Sequence, residues 1–257
     1  MSQEPKPRYF VAVRELLDRL EGQSGSVERA AQLCADAIGS GGLVHCFGTG
    51  HSRIPVEELF PRYGSYPGFN PIVELSMTFH TQVVGANGQR QAMFIERVEG
   101  LAERILANFD LAPPDVMLVC SVGGRTAVPL EMAAGARERG LIVIAVTSAG
   151  SLLGQRADVV LELCTPEGDA LVELDGLETP VGPGSTIAAV ALVNAVKVRT
   201  AELLLERDAL PPVLTSPALV GPDESARLFD AAYAEHARRA ARALRGAGGS
   251  AGGEPAR

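Results

Sequence analysis

The sequence predicts an α/β protein, a three-layer αβα sandwich around a parallel sheet. Three observations predict it. Short runs apolar almost throughout, such as VMLVC at 116–120 and LIVIAV at 141–146, alternate with segments of helical periodicity. Strands of that kind belong to parallel sheets buried on both faces. Glycine-rich turns, GTG at 48–50 and GG at 123–124, break two of the runs where a helix should begin.

Taken in order, apolar residues at 10, 13, 16, 17 and 20 predict a helix over 9–20. A second helix is expected over 26–38, ended by the glycines at 39–42. The run at 43–47 is a buried strand, and 52–60 a helix with Pro55 tolerated in its first turn. A strand over 70–75 and a helix over 98–108 follow. Pro113-Pro114 mark a turn before the strand at 116–121. A helix over 126–139, stopped by Gly140, leads into the strand at 141–147, and 157–163 is the next. A short extra strand is expected at 170–174. A long apolar helix fills 186–206, and a polar-faced helix 223–244. Residues 1–245 read as one domain with the core sheet within about 40–206, and 246–257 as a disordered tail.

Composition narrows the function classes. The chain has 257 residues, enough for a substantial core. Its formal charge of −8 argues against nucleic acid and anionic membrane as partners. A local pocket can still attract a small anion. The four cysteines, Cys34, Cys46, Cys120 and Cys164, form no C-x-x-C and read as small core residues. Four histidines without paired spacing give no zinc signature, so no metal or organic cofactor is expected. MSQEPKPRYF lacks the apolar stretch of a signal peptide, and no run reaches membrane-spanning length. A soluble, cytoplasmic protein is expected.

The first turn, FGTGHSR at 47–53, departs from known phosphate motifs. A dinucleotide fingerprint needs glycine where Arg53 stands, and a P-loop needs G-K-[ST]. Glu74 keeps a nucleotide reading open as a ribose-binding acid. What remains is G-x-G-x-S feeding a helix. Gly48 and Gly50 let an anion approach the backbone, and the helix start offers free N–H groups. Ser52 is either a further donor or a plain N-cap. The second turn, Ser121-Val-Gly-Gly-Arg-Thr126, repeats the design. Two such turns at neighbouring strand ends can grip one phosphate from both sides. Arg125 either adds charge there or lies on the surface. A third element, Gly182-Pro-Gly-Ser-Thr186, opens the long apolar helix. Ser185 and Thr186 either cap that helix or reach ligand hydroxyls.

Together these stretches resemble the sugar isomerase (SIS) domain family, and within it the stand-alone bacterial UPF0309-type proteins. The resemblance runs from about residue 8 to about 225. FGTGHS, EELF, NPI, IERVEGLAERIL, GRTAVPLEMA, GDALVELDGL and VGPGST carry it. It implies a flavodoxin-like parallel sheet with added N- and C-terminal helices. It also implies a bound phosphorylated sugar and a homodimer or higher homo-oligomer with sites near the subunit interface. Gly48, Thr49, Gly50 and Ser52 take the first phosphate turn, and Ser121, Gly123, Gly124, Arg125 and Thr126 the second. Ser185 and Thr186 form the third contact. Gly123 replaces a family serine. The segment after Thr147 is shorter than in relatives, and 216–224 lacks their asparagine.

The family contains isomerases and an etherase, so isomerisation and elimination both stay open, for a phosphorylated (amino) sugar such as a hexosamine 6-phosphate. Both reactions need a base near C2, a task for a carboxylate or histidine. His51 sits inside the first turn. Glu57 and Glu58 follow on the next helix about 100° apart, so one at most faces the ligand, and Glu58 is favoured. Glu96 and Glu99 are expected to supply helix N-terminal charge, and Asn194 a structural bond. His80 is isolated. Besides an enzyme, a non-catalytic sugar-phosphate sensor and a nucleotide-dependent enzyme remain as alternatives.

Overall fold

The structure, a computed structural model, describes residues 7–79 and 85–244. The strands are β1 (Val44–Gly48), β2 (Phe69–Ile72), β3 (Val116–Cys120), β4 (Ile142–Thr147) and β5 (Val159–Glu162). They pair in the order β2-β1-β3-β4-β5, all parallel. The chain therefore reverses its direction of travel across the sheet between β1 and β3. Each of β1 and β3 is buried along its whole length, as continuous apolar strands require.

Helices cover both faces. On one lie α1 (Arg8–Glu21), α2 (Ser24–Gly39), α3 (Arg53–Leu59) and α9 (Ser185–Glu206). Their buried residues pack on Val44, Cys46, Leu118, Cys120 and Val146. On the other lie α4 (Leu75–Thr78), α6 (Leu101–Leu106), α7 (Ala127–Glu138) and α8 (Leu152–Arg156), against Phe47, Met117, Val119, Val143 and Ala145. The alternation of strand residues between two clusters is the pleat expressed as packing. Each large aliphatic side chain buried this way contributes about 1.5–3 kcal/mol. A hairpin of β6 (Ala170–Val172) and β7 (Val181–Pro183) stands apart from the sheet and packs on α1, where Tyr9 donates to the Pro183 carbonyl at 2.7 Å. After α9 come one turn, α10 (Pro217–Val220), and the terminal helix α11 (Pro222–Ala243). Arg239 of α11 donates to the carbonyls of Ile38 and Gly42, both at 2.8 Å, fixing that helix at the end of α2.

Several expectations shift. The strand expected over 70–75 stops at Ile72, because Glu74 caps α4 by accepting from the Met77 N–H at 2.9 Å. The helix expected over 98–108 starts only at Leu101, since Gly100 takes a left-handed φ of 80°. A helix not expected, α5 (Gly88–Ile95), precedes it. Glu96 is therefore the cap residue at the C-terminus of α5 rather than part of a helix start, and Glu99 lies just before α6. The expected strand at 170–174 has a partner that the sequence reading lacked. His80 and the tail from 246 lie outside the described residues.

One buried charge ties α3 to α9. Lys197 Nζ donates to the C-terminal carbonyls of α3, Glu58 at 3.3 Å and Leu59 at 3.0 Å, and lies 5.6 Å from the centre of the Phe69 ring. Burial pulls its pKa down from 10.5 to about 8, partly offset by Glu58. Between those values the unfolded chain holds a proton that the folded one has released, so this group's contribution to stability rises with pH. Urea unfolding of the parent and of Lys197→Met from pH 7 to pH 11 should show it. The parent should gain stability relative to the variant, by about 3 kcal/mol at most, from pH 8 upward. A pH-independent difference would contradict it.

Candidate functional site

The reversal between β1 and β3 places their ends side by side, with Gly48 opposite Cys120 in register. The chain leaves these two strands on different routes, and a crevice opens above them. One wall is the start of α3, bearing His51, Ser52 and Pro55. The other is the start of α9, bearing Ser185, Thr186 and Ala189. The floor is Cys120, Ser121 and Val122, with Val146 and Leu163 from the neighbouring strand ends. The cleft is narrow, with enclosed room for little more than a water molecule between these side chains.

The first turn is built by close approach. A Cβ on Gly48 would lie 2.3 Å from the Ser52 carbonyl oxygen, so only glycine lets the turn fold back on the strand. Gly50 follows at φ 55°. The chain then passes through a 3-10 turn (Gly50–Ser52) into α3. Ser52 stands at the N-cap position, yet its side chain makes no capping bond. Its hydroxyl is thus not consumed by the helix, although the Ser52 N–H donates to the Thr49 carbonyl, the Arg53 N–H to those of Gly50 and His51, and Pro55 has no N–H to offer. Thr49 is different. It is buried, and its hydroxyl donates to Glu96 Oε2 at 2.7 Å, which leaves only its backbone for a ligand.

The second turn is shared between two purposes. Ser121 lines the cleft, and its Oγ accepts from the Gly124 N–H at 3.3 Å, keeping its own proton to donate. Beyond Val122 the chain leaves the cleft. Gly123 is exposed, Gly124 packs tightly on Thr147 and Ser151, and Arg125 is exposed. Thr126 caps α7 by position only, with no side-chain bond to it. At the third element, Asp169 accepts from the Ser185 N–H at 2.6 Å and the Ser185 hydroxyl at 2.7 Å, and Gly184 donates to it as well. Ser185 is spoken for, and Thr186 is the hydroxyl of α9 that faces the cleft without a bond to Asp169.

The expected bases divide. His51 lines the cleft mouth. Glu57 pairs with Arg53 at 3.1 Å on the exposed side of α3. Glu58 pairs with Arg62 at 2.8 Å and accepts from Asn194 at 3.4 Å, a turn further down the helix. Neither carboxylate lines the cleft. Asn194 also donates to the Val190 carbonyl, the structural bond expected of it. Cys120, on the floor, is pushed up to about 12 by burial and stays a thiol at neutral pH. Glu74 Oε2 accepts from the Ser76 hydroxyl and the Met77 N–H, and Glu74 does not line the cleft. Asp169, and the pairing of Glu96 with Thr49, carry no signal in the local sequence. Asp169 takes a φ of 71°, rare outside glycine, and nothing in its neighbourhood in the chain announces a bond to Ser185.

Fold and crevice together define an SIS-type α/β protein. Residues 8–148 match the SIS domain family. A UPF0309 protein of Geobacillus kaustophilus is 32% identical over 241 residues, covering 89% of this chain and 94% of that one. A UPF0309 protein of Streptomyces coelicolor is 32% identical over 243 residues, covering 88% and 94%. The chain belongs to the UPF0309 family of SIS domain proteins. Among solved structures, a phosphoheptose isomerase from Francisella tularensis superposes with a TM-score of 0.53 at 15% identity, over 76% of this chain and 95% of that one. The phosphoheptose isomerase of Neisseria gonorrhoeae gives 0.51 at 16%, over 76% and 96%. These likenesses show the shared fold. No helix among the described residues is long and apolar enough to cross a membrane.

Gly48→Ala should force the turn off Ser52 and cost about 1–3 kcal/mol. Thermal unfolding of the variant measures the cost, and parent-like stability would show that the turn can move aside.

Proposed function

We propose that the cleft binds a phosphorylated sugar and that the protein is an isomerase or C–O lyase acting on it, a hexosamine 6-phosphate being the substrate class that fits the reading best. One observation carries this. Ser52, Ser121 and Thr186 meet around a single cleft at the carboxyl ends of β1 and β3, and Ser52 is not used as a cap. The phosphate lies between the Ser52 and Ser121 hydroxyls, with the N-terminus of the long helix α9 at the same cleft to favour an anion. Thr186 and the cleft mouth meet the sugar.

The chemistry begins with loss of the proton at C2 to a base. In isomerisation a proton is returned to C1 and O1 is protonated; a C2 hydroxyl gives up its proton to become the new carbonyl, whereas a C2 amine gives a C2 imine, which water hydrolyses to the ketone with release of ammonia. In elimination the C3–O bond breaks instead, and the leaving oxygen takes a proton. His51 at the mouth is the proton-transfer group in this reading. Glu58 or Glu57 takes part only after leaving its arginine. In this reading the protein acts as a homodimer or larger homo-oligomer.

A second reading, a sugar-phosphate sensor without turnover, is favoured by the arginine pairing of both carboxylates and by Gly123 in place of a hydroxyl. Proton exchange at C2 in deuterated water separates the two. Binding with exchange supports the enzyme, and binding without exchange the sensor.

Titration calorimetry against fructose 6-phosphate, glucosamine 6-phosphate and N-acetylglucosamine 6-phosphate tests the site. Ser52→Ala and Ser121→Ala should each weaken the best ligand by about 1–3 kcal/mol. Unchanged affinity in both variants would remove the phosphate from this cleft.

A further inference from the structure

Glu96 touches both turns at once. Its carboxylate accepts from the buried Thr49 hydroxyl at 2.7 Å, inside the first turn. Its carbonyl oxygen accepts from the Val128 N–H at 2.9 Å, in the first turn of α7, where the second turn ends. That N–H is one of the donors a helix start leaves unsatisfied. Thr126, at the N-cap of α7, makes no side-chain capping bond, so the Glu96 carbonyl does part of the capping in its place.

We infer that Glu96 is a positioning residue that couples the two turns and sets the spacing between them. The inference rests on the phosphosugar reading for its consequence, but its geometry stands apart from it. Two strand ends that diverge have no ladder bond to keep their turns in step. A ligand held from both sides needs them within a fraction of an ångström of the right separation. Glu96 supplies a bond to each. A carboxylate here also carries a cost, since it adds negative charge to a region read as binding an anion. A purely structural position could be filled by a neutral acceptor at no such cost. Thr49 meets that charge with a short bond.

Amide hydrogen exchange on the unliganded full-length protein tests the coupling, read at residues 47–53 and at 122–129. Thr49→Val keeps the shape of the side chain and deletes the hydroxyl. It should speed exchange at least fivefold in both segments, although the substitution lies in only one. Glu96→Ala should do the same, and the double variant should go no further than either single one. Glu96→Gln keeps an acceptor and should return exchange at both turns to near the parent rate. Acceleration confined to 47–53 in Thr49→Val would overturn the inference. So would additive effects in the double variant. The consequence is read separately, as an affinity for the best sugar phosphate at least tenfold weaker in Thr49→Val. Coupled exchange together with no sugar-phosphate binding by the parent would leave the bridge standing and remove the phosphosugar reading alone.

Discussion

The parallel pairing of β1 with β3 is the constraint on which the rest of the molecule depends. It sets Gly48 opposite Cys120 at the two strand ends. Because β2 lies on the other side of β1, the connections from those ends must part. A parallel sheet with its helices on both faces cannot close that gap with backbone, so side chains and helix starts line it. The cleft is thus a by-product of strand order, lined by what the sequence puts at three points: Ser52 at the start of α3, Ser121 after β3, and Thr186 at the start of α9.

The walls of the gap are held from behind. Lys197 fastens the far end of α3 to α9 through two carbonyls, while Ser52 and Pro55 at the near end face the cleft. Removing a charged amine from water is expensive, and the depressed pKa records that expense. What it secures is a fixed angle between the two helices that supply opposite walls. Asp169 performs a related service by tying Ser185 to the hairpin, so that Thr186 is presented from a rigid helix start.

The sheet was legible in the sequence because its strands are apolar runs that no surface helix would tolerate, VMLVC above all. The glycine turns were legible for a second reason, since Gly48 has no alternative once the chain doubles back to Ser52. Short elements were not. The helix α5 is eight residues long and buries only Gly88 and Ala92, and β6 and β7 are three residues each, too short for a period to declare itself. Local spacing singled out His51, Ser52 and Ser121, which line the cleft. It could not say where Glu57 and Glu58 turn, because their partners Arg53 and Arg62 compete with the cleft at i,i+4 distances on one helix. Nor could it join Thr49 to Glu96, which lie 47 residues apart.

The most direct measurement is a crystal structure with a hexosamine 6-phosphate bound, locating the phosphorus in difference density. The account predicts phosphate oxygens within hydrogen-bond distance of the Ser52 and Ser121 hydroxyls, with the sugar extending toward Thr186 and His51. A phosphate found against any other surface, with the cleft between α3 and α9 empty, would contradict it.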